Sequence, residues 1–433
     1  MKKRLVPLFA VALILQFLTI SNQSLWADSA ADPQPLDSNF FGMTNHWYRP
    51  WPLVPMGGLR LWNTSTTWSD LNPSDGTYDW TTLDGWLSMA QQHGVSEIIL
   101  TLAMTPRWAS SNPNDSCRSN PGQCEPPDDL NPDGSGTDQH WKNFIRAVAT
   151  HSAGKIKYWE IWNEPVNSYY WSGTFAQMVR MAKDARAIIL SINPNALMLS
   201  PPNGANLTFG EHWWESYAAL GGLQYADVIA LHGGVNLPPR RCGNWPKAAD
   251  FVTEVKNLQS ILAKYHVDKP IWDTEGDWGN AHMTCFNDRD LQAAFLGQYL
   301  LFHESLDIKR LFWFAYDDAE VGQLWDPKTQ TLDKAGVAYG YVYNWLNGTV
   351  MTKSCSSSDN AVWTCDLSAS NGYLAEAIWD TRETCSNGNC KTTPYTVDAT
   401  YTQYRTLDGQ TVQITHHEVP IGAKPILVEN HNR

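Results

Sequence analysis

The stretch KYWEIWNEP, residues 157–165, sets Glu160, Asn163 and Glu164 among two tryptophans and ends on a proline. Its spacing reads as a buried strand, yet a carboxylate in a strand core costs several kcal/mol unless it is paired. Side chains alternate across a strand, so Tyr158, Glu160, Trp162 and Glu164 are expected on one face and Trp159, Ile161 and Asn163 on the other, until the strand end twists. On that reading Glu164 stands at the strand end, where the proline stops the strand. Glu160 lies deeper and needs an internal partner such as Arg60.

Working outward, seven further strands are expected at 40–47, 57–63, 97–104, 196–200, 226–232, 269–275 and 309–316. Helix-like segments with apolar residues at three- and four-residue spacing start near 81, 139, 174, 248 and 290. Eight strands alternating with helices predict an α/β fold of the (β/α)8 TIM-barrel type, with nearly continuous apolar strands such as EIILTL and DVIAL. The competing architecture is an open doubly wound sheet, but the first strand is not followed by the glycine-rich phosphate loop usual there. From about 351 the helical spacing stops. Short runs such as AVWTCDL, GYLAEAIWD, YTQYRTL, TVQITHHEV and KPILVE predict a C-terminal β-sandwich. The expected organisation is a signal peptide over 1–31, a catalytic barrel over 32–350 and a small accessory sandwich over 351–433.

The opening MKKRLVPLFAVALILQFLTI is a short basic run followed by an apolar one, with small residues at 27–31 for processing. A secreted or periplasmic protein is expected, with no membrane contact after cleavage. Eight cysteines fit disulfides in that compartment. Proximity pairs Cys117 with Cys124, Cys355 with Cys365 and Cys385 with Cys390, which leaves Cys242 for Cys285. The 44 acidic against 31 basic residues, a net charge of −13, argue against nucleic-acid partners. No CxxC or HExxH spacing occurs, so neither metal nor cofactor is expected; oligomeric state is not legible. The 22 tryptophans, many beside Asn, Asp and Pro, suit a large core with a minority lining a carbohydrate cleft.

In such a barrel the reactive groups stand at the C-terminal strand ends. Glu164 ends strand four and Glu275 ends strand seven. Two carboxylates at one mouth are what glycoside hydrolysis requires, and a separation of about 5–5.5 Å implies retention of configuration. Arg60 is expected to keep Glu275 ionised, while tryptophans and the neighbouring anion raise Glu164.

WNEP at 162–165, with DTEGDWG at 273–279, resembles the retaining glycoside hydrolases of clan A. GGLRLWN, YWEIWNEP and the C-terminal sandwich are most similar to glycoside hydrolase family 39 and its relatives. The resemblance implies Glu164 as acid/base, Asn163 on the sugar 2-hydroxyl and Glu275 as nucleophile. It also places Arg60, His232 and Trp313 around the bound sugar, on a β-xyloside or bacterial exopolysaccharide type of substrate. Each accessory residue has a structural alternative: Asn163 as a turn cap, His232 as a core histidine, Arg60 solely as the partner of Glu160, Trp313 as barrel packing. The GGV after His232 departs from the aromatic-rich loop often found there. Trp47, Trp108, Trp171, Trp278 and His46 stand at loop ends as candidates for sugar contact, and Asp317 and Asp318 after strand eight, with Trp325, are expected to line subsites. The alternative function is a non-catalytic carbohydrate-binding barrel.

Overall fold

The computed structural model describes residues 34–117, 120–204, 210–234 and 246–433, apart from 360, 387 and 432. The segment 1–31 and Cys242 lie outside the described residues. Eight strands form one parallel sheet: β1 (Phe41–Met43), β2 (Gly58–Leu61), β3 (Glu97–Leu102), β4 (Tyr158–Ile161), β5 (Leu197–Leu199), β6 (Ile229–Leu231), β7 (Ile271–Gly276) and β8 (Arg310–Trp313). Their order is β5-β4-β3-β2-β1-β8-β7-β6. The ring is completed between β5 and β6 by bridges Leu199–Val228 and Asn203–Leu231, with Ser200 N donating to Val228 O at 3.0 Å. All eight expected strands are present, each shorter than its apolar run.

The barrel interior is a small apolar plug of Ile99, Tyr158, Leu199, Val228, Ala230, Trp272 and Phe312. Gly42 and Gly58 leave room for the Phe312 ring, which a Cβ at Gly42 would meet at 2.3 Å. The larger core lies between the strands and the surrounding helices, where tryptophans such as Trp159 and Trp313 are fully buried beside other apolar residues. The expected helices are found at Thr81–Gln92, Gln139–His151, Phe175–Ile192, Asp250–Lys264 and Arg289–Ser305. Thr174 and Gln177 cap the third of these reciprocally, as their three-residue spacing favours. A sixth helix, Gly210–Ala219, was not anticipated. It begins on glycine and is short, so its apolar face (Trp213, Trp214, Tyr217) carries little periodic signal.

After the helix Lys334–Leu346, residues 350–429 form a six-stranded antiparallel sheet with a two-stranded pair, 392–396 with 418–422, over one face. Ile378, Val397, Val419, Ile421, Ile426 and Val428 fill the space between them. The run TVQITHHEV is two strands, not one: His416 and His417 both adopt left-handed φ (58° and 60°) and turn the chain. The sheet packs on the helix Arg289–Ser305, with Phe302 edge-on to Trp363 and Trp379. Residues 35–433 make one compact unit. Disulfides join Cys117–Cys124, Cys355–Cys365 and Cys385–Cys390 as expected. Cys285 is also disulfide-bonded. No helix among the described residues is long and apolar enough to cross a membrane.

Candidate active site

Arg60 organises the mouth of the barrel. It stands on β2, fully buried, and its guanidinium reaches four neighbours. Nε donates to Glu160 Oε2 at 2.8 Å and Nη1 to Glu275 Oε2 at 2.7 Å. Nη2 donates to Asn163 Oδ1 at 2.8 Å and approaches His232 Nε2 at 3.2 Å. The planar fork of donors suits this task where a lysine would not. Glu160, 0% exposed, also accepts from Thr101 Oγ1 at 2.7 Å, so it is held inside and out of reach of a ligand.

Two backbone irregularities aim the other side chains. On β4 the inward alternation holds for Tyr158 and Glu160 and then breaks. Trp162 has φ +61° and turns outward against Trp171 and Trp141, donating from Nε1 to Tyr170 O. The break brings Asn163 inward to Arg60, the reverse of the strict alternation, and Glu164 follows with φ +40°. On β7 the pairing with β8 shifts by one residue between Asp273 and Gly276. This bulge re-aims Glu275 into the mouth although Trp272 is also inward. Its lever is Asp273, whose Oδ1 accepts from Glu275 N (3.2 Å) and Gly233 N (3.0 Å) while Oδ2 is held by His303 (2.7 Å) and Tyr299 (2.9 Å).

Glu164, His232 and Glu275 converge until single side-chain atoms of the three lie within 4.8 Å of one another. Glu164 is 30% and Glu275 14% exposed, so both face the mouth, unlike Glu160. Arginine can only donate, so Nε2 of His232 accepts from it and Nδ1 carries the proton directed at Glu164 Oε1, 3.0 Å away. Burial opposes a charged His232, but the Glu275 carboxylate and the bond to Glu164 prevail and hold its pKa above the ordinary value. Burial raises Glu275 above the usual carboxylate range, and the charge of Glu164 adds to this, against His232 and Arg60. Arg60 is therefore bonded to Glu275 as expected without offsetting its desolvation. A cation among these three groups would face the Arg60 guanidinium at 2.7 Å from Glu275, an unfavourable setting for a metal.

At the rim, His46 and Asp317 meet. Asp317 Oδ1 accepts from His46 N at 3.0 Å and lies 3.1 Å from its Nδ1. Burial works against the charged ring, yet Asp317, Asp318 and Glu275 raise its pKa. Trp47, 72% exposed, offers a free aromatic face beside it. Trp278 and Trp313 are elsewhere. Both point into the strand–helix layer, at most 1% exposed, and pack on each other with ring centres 5.3 Å apart. Neither presents a face to a ligand. Phe312 is inward on β8, so alternation sends Trp313 outward and gives the mouth to Phe314, which stands edge-on to His46 at 5.8 Å.

Phe314, Asp273 and Asp277 were not anticipated. Burial, then the charge of Glu275, pushes Asp277 up to about 8. The WDTEGD run held a signal for both acids, since carboxylates two residues either side of Glu275 share its strand end. Gly233, the departure noted after His232, has a local cause: a Cβ there would meet Asp273 Oδ2 at 2.4 Å and Phe251 at 2.5 Å.

A family model for glycosyl hydrolase family 10 matches residues 62–181, the segment that carries β3, β4 and Glu164. Sequence and strand-end geometry therefore agree. By this match and by its fold, the chain resembles the glycoside hydrolases of clan A. Solved structures of such enzymes share its fold. A family 39 glycoside hydrolase from Bacteroides cellulosilyticus WH2 superposes with a TM-score of 0.66 at 14% identity, over 91% of this chain and 81% of that one. A monomeric β-xylosidase from Caulobacter crescentus CB15 gives 0.62 at 14% identity, over 92% and 97%. A family 30 subfamily 8 xylanase from Clostridium acetobutylicum gives 0.57 at 11%, over 92% and 97%. No curated protein sequence matches the chain. Among clan A glycoside hydrolases the likeness to family 39 is one of structure.

Proposed function

We propose that the protein is an exported, retaining β-glycosidase that works by double displacement, with Glu275 as nucleophile and Glu164 as acid/base. The observation that carries this reading is the approach of one oxygen of each carboxylate to within 4.8 Å, which supports the short carboxyl separation of a retaining enzyme over the roughly 6.5–9.5 Å that an inverting enzyme needs for its water. In the first step a Glu275 oxygen bonds to the anomeric carbon as the glycosidic C–O bond breaks, and Glu164 gives its proton to the departing oxygen. In the second, Glu164 takes a proton from water, the water oxygen bonds to the same carbon, and Glu275 leaves. Two displacements on one carbon retain its configuration.

Arg60 holds Glu275 and, through Asn163, ties the position of the 2-hydroxyl contact to the nucleophile. His232 orients Glu164. Trp47, His46, Asp317 and Phe314 are proposed to border the bound sugar. The β-xylosidase and xylanase among the structural neighbours support a β-xyloside or related pentoside as substrate, and the disulfides support an oxidising compartment outside the cytoplasm. The C-terminal sheet is proposed to brace the barrel.

The reading is tested on a panel of aryl β-glycosides with product stereochemistry followed by NMR. The wild type is expected to release the β-anomer first, and Glu164→Gln and Glu275→Gln to lose at least about 10²-fold in kcat/KM on a substrate with a poor leaving group. An α-anomeric first product, or undiminished rates in both variants, would contradict it.

A further inference from the structure

A second cavity, of about 320 Å³, opens beside the catalytic mouth. Trp62, Asn63 and Ser65 from the loop after β2, Met104 and Gln123 from the loop after β3, and Tyr170 from the loop after β4 line it. All three loops leave the C-terminal end of the barrel, where Glu164 and Glu275 stand. Trp62 lies two residues beyond Arg60, whose guanidinium carbon is 6.0 Å from its ring centre. Tyr170 meets Trp62 edge-on at 5.8 Å and accepts a hydrogen bond from Trp162, beside the acid/base. The cavity therefore adjoins the site that Arg60 organises.

Its side of the mouth follows from strand order. Glu164 leans on His232 at the end of β6, and β6 stands four strands from β2, across the ring. A leaving group protonated by Glu164 departs toward β6, so a cavity over β2 and β3 continues the other end of the substrate, the glycone. Its lining chemistry is that of a sugar site: amides of Asn63, Asn120 and Gln123, the Ser65 hydroxyl, the Asp70 carboxylate, and two aromatic rings. None of the lining residues is Lys, Arg or His, which fits a neutral sugar and not a uronate or a sulfated one.

The walls are fixed. Asn63, Ser65 and Met104 all adopt left-handed φ, at 57°, 55° and 72°, a strain that surrounding structure must hold. The Cys117–Cys124 disulfide brackets Asn120 and Gln123. Gln123 is further fastened through Nε2 to Ser69 Oγ at 2.7 Å and through its carbonyl to Thr105 N at 3.0 Å.

We propose that this cavity is a second glycone subsite, which takes the neutral sugar next to the one whose bond is cleaved. The protein is then selective for β-linked oligosaccharides and releases a product of two sugars or more. This inference rests on the retaining-glycosidase reading for the direction of cleavage.

The test compares kcat/KM of the full-length protein on 4-nitrophenyl β-xyloside with β-xylobioside, and on β-glucoside with β-cellobioside. In one series the disaccharide is expected to be better by about tenfold, the worth of one or two added hydrogen bonds. Asn63→Gly with Asn120→Ala, of which the first keeps the left-handed backbone, is expected to bring that ratio close to one. A ratio near one in the wild type, or one the double variant leaves unchanged, overturns the subsite. Calorimetry of xylobiose, cellobiose, xylose and glucose on Glu275→Gln gives a readout without turnover. Tighter disaccharide binding that depends on Asn63 and Asn120 supports the subsite even if Glu164→Gln and Glu275→Gln cleave as fast as wild type, a result that would overturn the catalytic reading alone. Equal affinities for disaccharide and monosaccharide overturn the subsite alone.

Discussion

Glu160 and Glu164 are four residues apart, and their surroundings assign them different work. Glu160 is enclosed with Arg60 and Thr101, so Glu160→Ala leaves a buried guanidinium without one of its two carboxylates and is expected to cost about 3–5 kcal/mol in chemical unfolding. Glu164→Gln, at a part-exposed rim, is expected to change stability by under about 1 kcal/mol while removing activity. The reverse pattern would exchange their roles. Glu275 supplies a pH prediction. Its folded pKa is raised by burial, and a nucleophile must be ionised, so kcat/KM is expected to fall as pH drops through a value above the usual glutamate range. An acid limb at or below the ordinary 4.5 would contradict that environment. The convergence of Glu160, Glu164 and Glu275 around Arg60 was legible in the sequence because a charged side chain at a strand end or in a strand core has few bland explanations. Trp278 and Trp313 were not, because an aromatic side chain serves a core as readily as a cleft, and only the direction of Phe312 settles which way β8 presents its residues.

At the scale of elements, apolar runs and helical spacing located all eight strands. The departures from regularity at their ends, which aim the site, left no such trace. Strict alternation misplaces Trp162 and Asn163 because a left-handed residue at 162 reverses the face, and a bulge between Asp273 and Gly276 does the same for Glu275. Both are properties of backbone conformation that several sequences share. The β6–β7 junction is where this can be probed. Gly233→Ala places a methyl against Asp273, Phe251 and Tyr299 and is expected to cost about 1–3 kcal/mol in stability. Because Asp273 also holds the backbone of Glu275, the same change is expected to lower kcat. Full activity in Gly233→Ala would show that the junction does not set the nucleophile.

Over the whole molecule, the helix Arg289–Ser305 is buried on both sides, with the barrel under it and the C-terminal sheet over it. Removing residues 351–433 would expose Phe302, now 1% accessible, together with the Gln298 amide that donates to Ala423 O. The truncated barrel is expected to be insoluble and the full chain to unfold in one transition; a folded, active fragment 32–350 would contradict this. The texture change at 351 marked the sheet in the sequence but not how much of the barrel's covering it provides. Stability also carries a pH signature. Burial and then Asp184 push Asp138 up to about 8, from 3.8 in the unfolded chain. Between those values the folded state binds the extra proton, so stability falls as pH rises from about 4 to about 8. Asp138→Asn is expected to flatten that slope and to raise Tm more at pH 8 than at pH 4. An equal shift at both pH values would assign Asp138 a purely packing role.

The central claim, a covalent intermediate on Glu275, is tested most directly by mass spectrometry after incubation with an activated 2-deoxy-2-fluoro β-glycoside of the accepted sugar. The expected result is one added glycosyl group per chain, mapped by peptide fragmentation to Glu275 and absent from Glu275→Gln. A label on another residue would contradict the assignment, and hydrolysis of such a substrate with inversion would contradict the mechanism.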